Sequence, residues 1–373
     1  MNSLPIIRQE NLEAVRRKPG MYIGGTDGRA LTRCVLELVR NSLGEHLSGR
    51  CNSIKVILHQ DGSISVQDDG PGISVVFLPE HCIPFIELVL TTLHCGTLEP
   101  SRLRYTVSRG VGAKCVNAVS EWMQVNTTQE SAEYRINFTR GRTTESLRKV
   151  RETGAPPGTT FRFKPDPEIF PDPVVDRAAL AMALEPLAML HPGLELTLVD
   201  ERSDAHSSPA VSRFYRPNGI ADSLKTISPD GQEFCIQPDP ITFHGDRQEI
   251  KYAVGFQFLA KLETQLRSFV NSSPAELGGT HVDGFLSGLT TGLNQVAGHR
   301  RKFRRGETQI GLHAVVSVWL AEPKFNGATR EELINPEARS LIREFTLEAV
   351  ERWISESQES AERVIDFLDA KRR

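Results

Sequence analysis

Leu31, Val35, Leu38, Val39, Leu43 and Leu47 fall at intervals of three and four, which sets them on one arc of a helix with about 3.6 residues per turn. Thr26 or Asp27 stands where the N-terminal cap of that helix belongs. The period then changes to two. SIKVILHQ at 53–60 and SISVQD at 63–68 alternate apolar and polar positions around the turn residues Asp61 and Gly62, the pattern of a β-hairpin. Strands are expected again around 122–128, 133–138 and 159–164 and helices near 86–94 and 111–119, so the first half reads as mixed α and β. ERSDAHSSPAVS, between Asp200 and Ser212, is polar and small and reads as a connection between compact units, with a boundary near Phe214. Beyond it, strands are predicted near 239–246, 250–259, 263–270 and 311–320, with helices near 282–295 and, as one long element, 335–369. The expected domains are 1–214 and 215–373, and no internal repeat is visible.

Length agrees with two domains, since 373 residues is more than one hydrophobic core usually serves. Hydrophobic residues at 39% and charged residues at 24% place the chain in the soluble globular range. A net charge of −3 gives no overall attraction to nucleic acid, so any DNA contact has to be local. The run HRRKFRR at 299–305 is the strongest local basic patch. The start, MNSLPIIRQENLEA, lacks the charged-then-apolar pattern of a signal peptide, and no stretch approaches the roughly 18 apolar residues of a membrane helix, so a cytoplasmic location without a membrane partner is expected. The six cysteines are scattered without a CxxC pair, which favours reduced thiols over a zinc site or disulfides.

Candidate chemistry begins on the first helix. Glu37 and Asn41 are four apart and share a face opposite the apolar arc. A carboxylate there can orient and deprotonate water, and an amide oxygen can hold Mg2+ without adding charge. Taken alone, such a pair is most often a solvated helix face. The hairpin's second strand runs into Asp68-Asp69-Gly70-Pro71-Gly72-Ile73, where the two glycines let backbone approach a flat ring while Asp68 accepts an amino proton. Arg109-Gly110-Val111-Gly112-Ala113-Lys114 opens the helix predicted at 111–119, where free backbone NH groups suit phosphate. Gly158-Thr159 begins a strand from which Thr159 could reach the same cleft.

In this order E-x-x-x-N, D-x-G-x-G, G-x-G and G-T form the motif set of the GHKL ATPases, and the chain resembles that superfamily. Longer stretches resemble its gyrase B and topoisomerase IV ParE branch: NLEAVRRKPGMYIGGTDG at 11–28, SISVQDDGPGI at 63–73, VGAKCVNAVS at 111–120, LGGTHVDGF at 277–285 and VSVWLAEPKF at 316–325. The resemblance implies an α+β fold: an N-terminal GHKL (Bergerat) sandwich of helices on a mixed sheet, then a ribosomal S5 domain 2-like α/β transducer domain with a long C-terminal helix. It implies an ATPase that uses ATP and Mg2+ and closes as a homodimeric clamp around DNA. By similarity Glu37 is the general base, Asn41 the Mg2+ residue, Asp68 the adenine acceptor, and Gly70, Gly72 and Ile73 the walls of the base pocket. Thr159 would assist Asp68 and Tyr105 would lie near the nucleotide. Arg109, Gly110, Val111 and Gly112 would face the phosphates, and Arg330 would stand where the family presents a lysine to the γ-phosphate. In such a clamp Arg300, Arg301, Lys302, Arg304 and Arg305 of the basic run could touch DNA phosphates; the same run reads equally as an exposed basic loop.

Departures from the family pattern bear on turnover. The phosphate loop is short, with Ser108-Arg109 in place of a Gly-Gly-Leu-His run. Leu98 and Ala328 replace a lysine and a glutamine, Pro71 replaces an arginine, and Gly44 replaces an acidic residue. The histidine that supports the general base aligns with Arg33. Binding is expected to survive these changes better than hydrolysis. The family continues into a metal-binding (TOPRIM) domain, so DNA cleavage would need a separate topoisomerase cleavage protein, and the arm that clasps the partner is a few residues short. The alternative reading is a non-catalytic nucleotide-binding regulator, or degenerate gyrase B paralogue, acting on a partner topoisomerase.

Overall fold

Asp27 settles the choice between the two candidate caps. Its backbone is extended and its carboxylate accepts the Ala30 amide at 2.9 Å, which starts helix α2 (Gly28–Leu47). A short helix before it, α1 (Pro19–Ile23), begins on proline and ends at Gly24 with φ 78°, a left-handed stop. The computed structural model describes residues 12–93, 112–202, 208–226, 235–237, 239–298, 302–327 and 330–371. The chain divides into two compact units, Met1–Tyr215 and Arg216–Arg373.

The first unit is built on eight strands: β1 (Ser53–Leu58), β2 (Ile64–Asp68), β5 (Ser120–Gln129), β6 (Ala132–Thr139), β7 (Arg142–Glu152), β8 (Gly158–Pro165), β9 (Glu195–Asp200) and β10 (Ala210–Tyr215). They form one sheet in the order β10-β9-β1-β2-β8-β5-β6-β7. Two short strands, β3 (Phe77–Leu78) and β4 (Ile83–Pro84), pair with each other as a separate hairpin. Only β1 and β9 run parallel; the other neighbouring pairs of the large sheet are antiparallel. The arc of α2 from Leu31 to Leu43 packs with Ile54, Val56, Val66, Val125, Phe161 and Phe163 of the sheet in one buried core, joined by α3 (Phe85–Thr91), α4 (Gly112–Ala118) and α5 (Arg177–Leu190). A buried carboxylate ties this layer together. Asp166, fully enclosed, pairs with Arg16 at 2.7 Å and Arg140 at 3.0 Å, and Arg16 also donates to the carbonyl of Ala118 at the end of α4.

Two sequence expectations change here. Ala210–Ser212, read as part of a connection, instead begins β10, which extends the first sheet by pairing with β9. Strand β7 had no apolar alternation to betray it, because it is an edge strand whose charged residues stay in solvent and discourage pairing with other chains.

The second unit has a sheet of five strands, β11 (Ile241–Arg247), β12 (Ile250–Phe258), β13 (Gln265–Val270), β14 (Ser273–Pro274) and β16 (Leu312–Leu320), in the order β11-β12-β16-β13-β14. Every residue of β16 is buried. Helix α6 (Ile220–Thr226) precedes the sheet, and β15 (Gly278–Gly279) leads into α7 (Thr280–Ala297). Gly284, Gly288 and Gly292 line the face of α7 that meets α8 (Pro336–Glu356). A Cβ on them would lie 2.3 Å from the Arg339 carbonyl, 2.6 Å from the Arg343 carbonyl and 2.5 Å from Val350. The two helices therefore approach backbone to backbone. The single helix expected over 335–369 is two: α8 stops at Ser357, whose φ of −152° leaves the helical region, and α9 (Gln358–Ala370) restarts from it.

Candidate functional site

The hairpin sets Asp68 two residues beyond the core residue Val66, on the same face of the sheet and against α2. Ser42 Oγ, buried on α2, donates to Asp68 Oδ2 at 2.7 Å, and the Gly70 amide donates to Oδ1 at 3.0 Å. Across the sheet Asp68 lies opposite Thr159, and a Cβ at Gly158 would sit 2.6 Å from the Asp68 carbonyl, so the Gly-Thr pair is what lets β8 close on this strand end. Burial pushes the Asp68 carboxyl above the ordinary carboxylate range, while Ser42 and the Gly70 and Thr159 backbone pull it back by favouring the charged form. The next residue does a different job. Asp69 accepts the amides of Asn52 and Ser53 at 2.8 and 2.9 Å and is held below its usual range by those bonds, which pins the loop to the start of β1.

Gly72 has φ 82°, and a Cβ there would meet Thr127 Oγ1 at 2.7 Å and the Thr128 carbonyl at 2.9 Å. The Ile73 amide donates to Thr127 Oγ1 at 2.9 Å, so the second glycine of the motif is fixed against β5. Pro71 leaves only its carbonyl for hydrogen bonding and accepts from Gln129. Glu45, next to Gly44, is paired with Arg50 at 2.6 Å.

One and a half turns before Ser42, Glu37 faces the opening residue of α4. A Cβ at Gly112 would lie 2.2 Å from Glu37 Oε2. The Glu37 charge also acts on two buried thiols: burial first, and Glu37 second, hold Cys115 up to about 12, and Cys34 is raised by burial, by Cys115 and by Glu37. Arg40 Nη1 donates to Glu37 Oε1 at 2.5 Å. Arg33 is not at this carboxylate; its guanidinium donates to the Gly24 carbonyl at 2.9 Å and closes the end of α1. Asn41 is half-buried on the same face of α2 as Glu37.

One helix thus carries the Asp68 contact at Ser42 and the Gly112 contact at Glu37, about 7.5 Å apart along its axis at 1.5 Å per residue. Ser42, Thr127 and Arg40 are the contributors that motif spacing did not flag. Tyr105, Arg109, Gly110 and Val111, with Leu98, lie outside the described residues, as do Arg300, Arg301 and Ala328. Among the described residues no group of three or more His, Cys, Asp or Glu converges as a metal-ligand set. No helix among them is long and apolar enough to cross a membrane.

In the second unit Arg330 is exposed and has φ 61°, an uncommon backbone state for a residue with a Cβ. The segment around it is closed at its base: the Lys324 amide donates to Asn335 Oδ1 at 2.6 Å, the Asn326 amide to the Glu332 carbonyl at 3.0 Å, and β17 (Glu332–Leu333) pairs in parallel with β15. Of the basic run, Lys302 and Arg304 are exposed, Phe303 between them is buried, and Arg305 pairs with Asp283, which also holds Arg339. The run is therefore anchored by its phenylalanine and partly neutralised at one end.

A family model described as "Histidine kinase-, DNA gyrase B-, and HSP90-like ATPase" matches residues 26–169, and one described as "DNA gyrase B" matches residues 219–373. Among known proteins, the DNA gyrase B protein of Thermus thermophilus is 35% identical over 368 residues, 96% of this chain and 57% of that protein. The DNA gyrase B protein of Haloferax volcanii is 34% identical over 370 residues, again 57% of its length, so the chain spans a little over half of these relatives. The crystal structure of the 43K ATPase domain of Thermus thermophilus gyrase B in complex with an aminocoumarin superposes with a TM-score of 0.84 at 33% identity, covering 96% of this chain and 94% of that one. The topoisomerase IV ATP-binding domain of Francisella tularensis, in complex with a small-molecule inhibitor, gives 0.77 at 25% identity, covering 96% and 95%.

Proposed function

Since this chain belongs to the gyrase B family of GHKL ATPases and matches most of a solved ATPase region of that family, we propose that it binds ATP between the Asp68 loop and the Gly112 helix and hydrolyses it with Glu37 as general base. The observation that carries the reading is the double contact of α2: Ser42 on Asp68 and Glu37 on Gly112. The ionised carboxylate of Asp68 accepts a proton of the adenine amino group, and Gly70, Gly72 and Ile73 give the ring a flat backbone wall. Glu37 then aims a carboxylate oxygen at the phosphate end, where it orients a water and takes its proton as that water attacks the terminal phosphorus; the bond from that phosphorus to the bridging oxygen breaks and ADP leaves with the electron pair.

Asn41 is the residue that would hold Mg2+: a neutral amide oxygen one helical turn from the base, supplementing phosphate oxygens and water, suits an ion that seldom takes an all-protein cage. Bound there, the ion would neutralise phosphate charge. Arg330 is proposed as the cation that distinguishes ATP from ADP, and Lys302, Arg304 and Arg305 as local contacts to DNA phosphates. In this reading ATP binding closes a homodimeric clamp and hydrolysis reopens it, as one part of a type II topoisomerase system.

The test replaces the base isosterically. Glu37→Gln is expected to lower Mg2+-dependent ATP hydrolysis by about a hundredfold or more, the usual worth of a positioned general base, while calorimetric titration with a non-hydrolysable ATP analogue gives the parent affinity. Turnover in Glu37→Gln equal to that of the parent rejects Glu37 as the base. A parent that binds the analogue and shows no turnover above the variant rejects hydrolysis and favours a nucleotide-binding regulator.

A further inference from the structure

We propose that Arg40 is the positioning residue of the hydrolytic base, fixing the Glu37 carboxylate by one oxygen so that the other faces the phosphate end. This rests on the reading of Glu37 as the base. The two oxygens of Glu37 have different surroundings: Oε1 accepts from Arg40 Nη1 at 2.5 Å, and Oε2 is the atom that a Cβ at Gly112 would approach to 2.2 Å. A spacing of three residues puts both side chains on the same face of α2, and both are partly sheltered, with 21% of Arg40 and 30% of Glu37 exposed. A charged donor on one oxygen restricts rotation about the last side-chain bond, and the planar guanidinium sets the plane of the carboxylate.

A general base needs such an orienting group as much as it needs basicity. Family resemblance puts that group at position 33, but Arg33 is committed to the Gly24 carbonyl at 2.9 Å. The thiols of Cys34 and Cys115 lie near enough to feel the Glu37 charge, yet burial holds both neutral, so neither can fix it by charge. Among the described residues the ion pair to Glu37 comes from Arg40. The orienting role has thus moved two turns along α2, from position 33 to position 40.

Steady-state Mg2+-dependent hydrolysis by the full chain, with analogue titration alongside, tests this. Arg40→Gln is expected to lower kcat by about ten- to a hundredfold, since a loosened base loses much of its contribution, with KM and analogue affinity within about threefold of the parent. Arg40→Lys recovers part of the loss, because it restores a cation without the fork. Arg33→Gln keeps the parent kcat. In a Glu37→Gln background Arg40→Gln has no further effect, as expected if Arg40 acts through Glu37. Parent kcat in Arg40→Gln, equal losses in Arg33→Gln and Arg40→Gln, or an additive loss in the Glu37→Gln background would each overturn the proposal. A parent that turns over while Arg40→Gln matches it removes Arg40 alone. A parent that turns over no faster than Glu37→Gln removes the base and Arg40 together, and retained analogue binding then shows that the nucleotide site itself stands.

Discussion

Asp68 shows how a single carboxyl is tuned by opposing neighbours. Burial raises it, and the bonds from Ser42, Gly70 and Thr159 favour its charged form without fully offsetting burial. A raised carboxyl binds its proton more tightly in the fold than in the unfolded chain, so its contribution to stability is present at low pH and fades as pH rises through the folded value. Adenine recognition has the opposite dependence, because only the ionised form accepts without donating. Analogue affinity is therefore expected to fall on acidification beginning above the ordinary aspartate value of 3.8. Ser42→Ala removes one of the groups that favour the charged form, which shifts that loss to higher pH and lowers affinity over the range where the variant's carboxyl is protonated and the parent's is not. Calorimetric affinities across pH for both proteins check this; identical profiles count against Ser42. At this scale Glu37, Asn41 and Asp68 were legible because their spacing is local. Ser42 and Arg40 were not, since a hydroxyl or an arginine inside an amphipathic helix looks ordinary until the partner strand or the adjacent helix start is placed beside it.

Among the elements, α7 depends most on what it lacks. Its glycines at 284, 288 and 292 recur every four residues and let α8 lie against its backbone. At Gly288 an added side chain meets the Arg343 carbonyl at 2.6 Å and the Cβ of Thr346 at 2.8 Å, atoms that cannot swing aside. Gly288→Val is expected to destabilise the second unit by about 2 kcal/mol or more, because overpacking at a closed interface outweighs the better helix propensity of valine, read as a lower denaturation midpoint; an unchanged midpoint means the helices separate at little cost. The strands of the first hairpin and the core strands β12 and β16 were legible from their apolar pattern. Helix α5 was not: RAALAMALEPLAML is apolar almost all round and carries Pro186, so no single arc stands out. Nor was the end of α8, because the apolar spacing continues across Ser357 into α9 and the break is a matter of one backbone angle.

At the scale of the molecule, the proposed clamp makes a prediction about size. With Mg2+ and a non-hydrolysable ATP analogue, the mass measured by light scattering is expected to double relative to the nucleotide-free protein, and Arg330→Gln is expected to weaken that response by removing the cation proposed for the terminal phosphate. A single mass under both conditions means that binding and assembly are not linked in this chain. Sequence made the mixed α and β character of both halves legible, while the membership of β10 in the first sheet required the pairing of Phe214 with Leu196. The two-residue ladder between β15 and β17 has a mechanical consequence. Gly279, at φ 119°, lies so close to Leu333 that a Cβ would come within 2.2 Å of its carbonyl oxygen, and Gly278 is bonded back onto Ala275. Strand β17, which begins two residues beyond Arg330, is consequently seated against the head of α7: a pull on that arginine by an anion would be passed through β17 to the helix, like a handle bolted to its shaft.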